Sequence, residues 1–322
     1  MGTAITEALQ ALVLAAAVTV ILGPPVLALL RRLKAGQAIR SDGPRSHLAK
    51  SGTPTMGGVL FLIGLTVATL ILAPSSPLTL SALILTWGYA LIGLVDDGLK
   101  VVLRRPLGLL ARQKMGGQVL LGLAAGVVAM LWLGRGSVVQ VPVTGWRWDL
   151  GWYYPLLAAL LLVAASNAVN LTDGLDGLAA GITFWVALAY GFLALTLGQR
   201  EMVVFAMALA GGCLGFLVYN FHPARVFMGD TGSLALGAAI GFLAIMTRTE
   251  LVLPILGGVY VLEVLSVILQ VVSFRLTGRR LFRMSPLHHH FELGGWSENR
   301  VVFCFWGLAI VLALAGIYIM TI

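Results

Sequence analysis

Residues 154–197 read YPLLAALLLVAASNAVNLTDGLDGLAAGITFWVALAYGFLALTL: two apolar runs, Tyr154–Val169 and Leu178–Leu197, meeting at a polar junction that holds the stretch's only formal charges, Asp173 and Asp176. Each run approaches the roughly 20 apolar residues a helix needs to cross a hydrocarbon core about 30 Å thick. The same pattern continues outward in both directions. Further apolar windows fall at Ile5–Leu30, Thr55–Leu72, Leu78–Val95, Gly116–Leu133, Met202–Tyr219, Ser233–Ile245, Leu251–Phe274 and Val301–Ile319, which predicts an all-α, polytopic membrane protein of about ten helices. With 59% hydrophobic residues, 11% charged and a mean hydropathy of +0.96, the composition excludes a water-soluble globular domain and a disordered chain. No repeat or linker divides the sequence, so residues 1–322 read as one integral membrane domain. Glu7, with no Lys or Arg before Arg31, argues against a cleaved signal peptide and for a permanent first span. Cys213 and Cys304 both lie in apolar stretches and imply no disulfide framework.

The 21 Lys and Arg against 13 Asp and Glu would, on a soluble chain, point towards nucleic acid. Their placement points elsewhere. With ten spans both termini share a side, and the loops after the odd-numbered spans carry 6, 5, 0, 1 and 5 basic residues, 17 of the 21. The positive-inside rule makes that side cytoplasmic and puts both termini outside. The expected partner is the bilayer, not nucleic acid; part of the basic excess would also suit anionic headgroups or a phosphorylated substrate. The outer segment 138–152, VVQVPVTGWRWDLGW, reads chiefly as an aromatic belt at headgroup level, with a hairpin turning at Thr144-Gly145 as the alternative.

Eight of the acids fall on the cytoplasmic side: Asp42, Asp96, Asp97, Asp173, Asp176, Asp230, Glu292 and Glu298. Five of these, Asp96, Asp97, Asp173, Asp176 and Asp230, sit where long apolar spans end. A charge at the centre of a membrane helix costs about 2.5–3.5 kcal/mol even on insertion scales, so junction carboxylates need a partner or a task. Five Asp converging from three loops suggest a cation site. Asp96 and Asp97 point about 100° apart on a continuous helix and would share one ion only if the third span ended at Gly98. Asn167, Asn170, Asp173 and Asp176 recur every third residue, which would keep them near one helical face, with Gly174 and Gly177 permitting close approach. The segment 219–233, YNFHPARVFMGDTGS, offers Asn220 as an amide, Arg225 as a phosphate fork and Phe227 as a stacking plane. Asp230 or Thr231 would N-cap the eighth span.

Three consecutive histidines, His288, His289 and His290, precede Phe291 and Glu292. Zinc would need three or four ligands and favours N and S donors; on a face of carboxylates and amides, imidazoles contacting phosphate oxygens fit better. Residues 46–58, SHLAKSGTPTMGG, bring Lys50 near the surface and suggest Thr53 as N-cap with Pro54 in the first turn of the second span. They lack the GxxxxGK[ST] order of a P-loop. The ninth window spans about 36 Å as a helix, and its Pro254 and Gly257-Gly258 predict a kink or tilt.

HLAKSGTPTMGG, the Asp96-Asp97 pair, NAVNLTDGLDGL, YNFHPARVFMGDTGS and PLHHHFE, in this order and across the whole chain, resemble the polyprenyl-phosphate N-acetylhexosamine-1-phosphate transferases. The resemblance implies a transferase of the bacterial cytoplasmic membrane that moves phospho-MurNAc-pentapeptide from UDP-MurNAc-pentapeptide to undecaprenyl phosphate, releasing UMP. It further implies Mg²⁺ as cofactor and a homodimer. Mg²⁺ takes oxygen ligands, commonly one or two carboxylates plus substrate phosphates, which the Asp cluster would supply. Matched motif by motif, Asp230 is the implied metal ligand and Asp96 or Asp97 the group that deprotonates the lipid phosphate. Asn170, Asp173, Asp176 and Asn220 would position the uridine diphosphate and Phe227 would stack on uracil. Lys50, Lys114, Gln270 and His288, His289 and His290 would surround the phosphates and sugar. Direct attack of the lipid phosphate is the expected route, with a two-step passage through an Asp phosphoester as the alternative. Gly98 departs from the aromatic expected there in many relatives, which bears on how that helix end packs. The bend in the ninth span would open a lipid-facing groove for the prenyl tail. The nearest rival is a sister transferase of GlcNAc-1-phosphate. A cation-coupled transporter is the rival class, but its charges would lie near the membrane midplane between inverted repeats.

Overall fold

The computed structural model describes residues 2–33, 52–101, 103, 105 and 107–322. Twelve helices are formed among them: α1 (Gly2–Arg32), α2 (Gly58–Leu72), α3 (Pro77–Val101), α4 (Ala111–Leu131), α5 (Tyr154–Thr172), α6 (Leu178–Thr196), α7 (Arg200–Asn220), α8 (Gly229–Met246), α9 (Leu253–Leu256), α10 (Gly258–Thr277), α11 (Leu287–Glu292) and α12 (Glu298–Thr321). Nine are long and apolar enough to cross a membrane. The expected tenth, α2, has 15 residues, about 22 Å of helix. It is shortened because residues 54–58 run beside 227–228 instead: Phe227 N donates to Pro54 O (2.8 Å), Gly57 N to Phe227 O (2.8 Å) and Gly58 N to Met228 O (3.1 Å). Thr53 therefore does not cap α2 and Pro54 is not in its first turn. The ninth window is interrupted, as its glycines predict: α9 stops at Leu256, Gly257 turns the chain with φ −98° and ψ 28°, and α10 begins at Gly258.

Burial separates centre from rim. In α8, 89% of the most apolar stretch is inside the protein, against 22% in α1, α4 and α10. Lipid offers no hydrophobic drive between helices, so close packing by small residues has to supply the attraction. Around α8 they do so: a Cβ on Gly93 would collide with the Asp230 backbone, one on Gly237 with Ser166, and one on Gly58 with Gly232. α3 and α5 pack on α8, α1 and α2 on α7, and α12 on α6. α10 is buried only at Gly258, Val259, Tyr260, Glu263 and Ser266; from Leu265 onward Ile268, Leu269, Val271, Val272 and Phe274 face outward.

At the end away from the Asp residues, strands β1 (Val138–Gln140) and β2 (Arg147–Asp149) pair antiparallel, Val138 opposite Asp149. The hairpin alternative is thus the observed one. Its turn contains Thr144 and Gly145, and Trp146, Trp148, Trp152 and Tyr153 point outward as an aromatic belt would. Beneath it, buried Arg135 pairs with buried Glu250 and donates from Nε to Ile245 O at the end of α8 (3.1 Å). Tyr154 donates to Glu250 Oε1 (2.8 Å) and lies under the Arg135 guanidinium at 4.3 Å.

Candidate active site

A helix start leaves unpaired N–H groups that want an acceptor. At α8 the acceptor comes from another helix. Asp97, on α3, takes Asp230 N (3.2 Å) on Oδ1 and both Thr231 N (2.9 Å) and Thr231 Oγ1 (2.7 Å) on Oδ2. Neither Asp230 nor Thr231 is the N-cap; the cap position is Met228 and Asp230 lies in the first turn. Gly229 makes the approach possible, having φ +70° and no Cβ to strike the Asp97 carboxylate. α3 runs through Gly98 to Val101, so it does not end where a shared ion had seemed to require. The pair reaches one place nonetheless, because Asp230 approaches both residues from across the bundle.

Asp230 is the hub. Its Oδ2 meets Lys114 Nζ (2.7 Å) and Lys100 Nζ (3.1 Å), and its Oδ1 accepts from Asn170 Nδ2 (2.8 Å), which also donates to Ser233 Oγ (2.8 Å). Lys100 pairs with Asp96 as well (2.6 Å), whose Oδ1 accepts from Leu109 N (2.7 Å). One carboxylate oxygen each from Asp96, Asp97 and Asp230 lies within 4.8 Å of the others. That all-oxygen, acid-rich donor set fits a hard divalent cation such as Mg²⁺.

The four residues expected on one helical face divide instead. α5 ends at Thr172. Asn167 turns to Gln118 Oε1 on α4 (2.7 Å) and Asn170 to Asp230. Asp173 stands just past the helix end. Burial, followed by repulsion from Asp230, Asp97 and Asp176, holds its carboxyl well above the usual carboxylate range. Asp176 belongs to a different network. Its Oδ2 meets His222 Nδ1 (3.1 Å) and accepts from Ala224 N (3.0 Å), while its backbone N donates to Glu298 Oε1 (2.7 Å). Glu298 Oε2 also reaches His222 Nδ1 (3.1 Å). Asn220 is buried, accepting from Gly177 N (3.0 Å) and donating to Val226 O (2.9 Å). It shapes the loop that carries Phe227, which is half-buried beside Gly57.

The histidines also differ among themselves. His288 is fully buried, with Nδ1 3.0 Å from Glu263 Oε1. His289 Nδ1 meets Glu292 Oε2 (2.8 Å) and His290 Nδ1 accepts from Arg283 N (3.1 Å). Gln270 is occupied by backbone: Oε1 accepts from Leu281 N (2.9 Å) and Phe282 N (2.8 Å), and Nε2 donates to Phe282 O (3.0 Å). It fastens the 278–286 loop to α10. Lys50 lies outside the described residues.

Sequence reasoning passed over three participants. Lys100, one turn after Asp96, was visible as an i,i+4 partner. His222 lies between Asn220 and Arg225, whose amide and guanidinium carry the more recognisable chemistry of that segment. Glu263, a carboxylate inside an apolar span, carried the strongest unused signal.

A bundle that gathers three Asp and two Lys where spans end supplies charge neutralisation at one place, which is the main demand of phosphoryl transfer. Residues 79–248 match the family model for glycosyl transferase family 4, which defines the class. Residues 50–62 match phospho-N-acetylmuramoyl-pentapeptide-transferase signature 1. The phospho-N-acetylmuramoyl-pentapeptide-transferase of Moorella thermoacetica is 88% identical over 98% of this chain and 99% of its own. Those of Desulforamulus reducens and Geobacillus kaustophilus are 55% and 52% identical, over 93% and 96% of this chain and 92% and 98% of theirs. The chain belongs to the phospho-N-acetylmuramoyl-pentapeptide-transferases. It is a multi-pass membrane enzyme of peptidoglycan synthesis, a glycosyl-1-phosphate transferase.

Proposed function

We propose that the chain, as one domain over residues 1–322, transfers phospho-MurNAc-pentapeptide from UDP-MurNAc-pentapeptide to undecaprenyl phosphate. The observation that carries this is the meeting of Asp96, Asp97 and Asp230 with Lys100, Lys114 and Asn170. Its place is the cytoplasmic face of the bacterial cytoplasmic membrane, with both termini outside and two copies forming a homodimer. Asp96 is the base, since Asp97 is committed to the start of α8. It takes the proton from the lipid phosphate, whose oxygen then attacks the sugar-linked β-phosphorus while the bond from that phosphorus to the α–β bridging oxygen breaks and UMP leaves with the electron pair. Lys100 and Lys114 turn from Asp230 to the phosphate oxygens, neutralising charge as it moves to the leaving group. Asp173 and Asp176, with Phe227 against uracil, hold the uridine diphosphate, and His289 and His290 serve the phosphates and sugar, as Lys50 is also expected to do; Asn220 and Gln270 act indirectly, shaping the loops that carry these residues. Mg²⁺, held when bound by Asp230 with Asp96 or Asp97, supplies further charge neutralisation on the pyrophosphate.

UMP release from UDP-MurNAc-pentapeptide, measured with undecaprenyl phosphate and Mg²⁺, tests the reading, and Asp230→Ala should abolish it. Full activity in that variant would overturn the metal assignment. Stoichiometric UMP release without the lipid would favour the Asp phosphoester route over direct attack.

A further inference from the structure

Glu263 is a fully buried carboxylate six positions into α10, and the transfer mechanism does not use it. Ionisable groups at such depth persist where a partner and a task hold them. Both its oxygens are occupied: Oε2 accepts from Leu287 N (2.5 Å) and Oε1 meets His288 Nδ1 (3.0 Å). A carboxylate only accepts, so Nδ1 carries a proton. His288 Nε2 is buried and has no hydrogen-bond partner among the described residues. It abuts Gly174, where any Cβ would collide with it. Gly174 is the neighbour of Asp173, whose carboxyl is held well above the usual range by burial and then by repulsion from Asp230, Asp97 and Asp176. A chain of contact therefore runs from α10, the helix that leaves the bundle after the Gly257 break, through His288 to the turn that ends α5.

We infer that Glu263 is a positioning residue for the transfer: it fixes the tautomer and place of His288, and His288 in turn sets the Asp173-Gly174 turn. His288, fully buried, thereby acts beneath the site and not on the substrates, whereas His289 and His290 are only partly buried. The inference rests on the proposed transfer, but the bond between Glu263 and His288 can be read without turnover.

E263Q separates the possibilities because an amide offers one acceptor where Leu287 N–H and His288 Nδ1–H need two. In full-length protein in nanodiscs, E263Q should lower Tm modestly, because one buried donor is left unpaired, while the ¹⁵N signals of His288, assigned with H288Q, move away from the Nδ1–H tautomer. The kcat for UMP release should fall about tenfold or more, as when a histidine loses its orienting partner, with KM for UDP-MurNAc-pentapeptide within about twofold. E263Q, H288Q and the double variant should lose similar factors, because the two residues act as a unit. Unchanged kcat in E263Q, losses that multiply in the double variant, or a lowered Tm with normal kcat per folded molecule would each overturn the inference. If E263Q does not fold, E263D, which keeps both acceptors, should retain the Nδ1–H pattern and exceed H288Q in kcat; full activity with a displaced His288 signal would overturn it equally. Inactivity of the wild type on UDP-MurNAc-pentapeptide would defeat the substrate reading instead, and the ¹⁵N comparison would still decide the coupling.

Discussion

Asp97 accepts three hydrogen bonds from the first turn of α8, whereas its neighbour Asp96 faces Lys100 and the Leu109 amide. Leaving a buried donor unpaired costs about 1–3 kcal/mol. Asp97→Ala should therefore lower Tm clearly, while Asp96→Asn should abolish UMP release with a smaller thermal loss; equal thermal losses would contradict the division of labour. Asp173 behaves oppositely. Its pKa is raised in the folded state by burial and by the other carboxylates, so the folded protein holds that proton more tightly than the unfolded chain. Its ionisation costs stability as pH rises from the unfolded value of about 3.9. In EDTA, Asp173→Asn should be more stable than wild type at neutral pH, the advantage vanishing in acid, while activity is lost; thermal melts across pH would show it. The acids of this site were legible because so few charges interrupt the spans. Their partners were less so: nothing in local spacing distinguishes Asp97 as a cap on a helix 130 residues away, or Asn220 as a clamp on backbone.

The elements were legible to the extent that they depend on length and apolar content. Every window became a helix, and Gly257-Gly258 became the break between α9 and α10. What periodicity misplaced were the ends. α2 starts late because residues 54–58 bond to 227–228, a tertiary partner that local spacing does not reveal, while α3 continues through Gly98 and α5 stops before Asp173. Gly229 shows the cost of such an end. Ala there would meet both a φ of +70° and the Asp97 carboxylate, and left-handed backbone alone costs about 1–2 kcal/mol. Gly229→Ala should lose activity and thermal stability together, measured by UMP release and melting. At Gly257, φ is −98°, which any residue tolerates, so Gly257→Leu should fold and raise KM for undecaprenyl phosphate with little change for the nucleotide. An unchanged lipid KM would argue against a groove opened by the bend.

At the scale of the whole molecule, the lopsided distribution of basic residues predicts the topology. Cysteines introduced at the N-terminus ahead of α1 and at the C-terminus after α12 should react with a membrane-impermeant thiol reagent in intact cells, and one placed in the 278–286 loop should react only after permeabilisation. On that topology the aromatic hairpin would lie on the same outer side. The central helix has a mechanical property that follows from its two ends. α8 is gripped at one terminus by the Asp97 carboxylate and at the other by the Arg135 guanidinium on Ile245 O. Sliding along its own axis would break bonds at both ends at once, which sets a cost against piston-like motion. In the proposed transfer, displacements that admit a lipid and release a nucleotide would then fall to the rim helices, with Asp230 as the fixed datum against which both substrates are aligned.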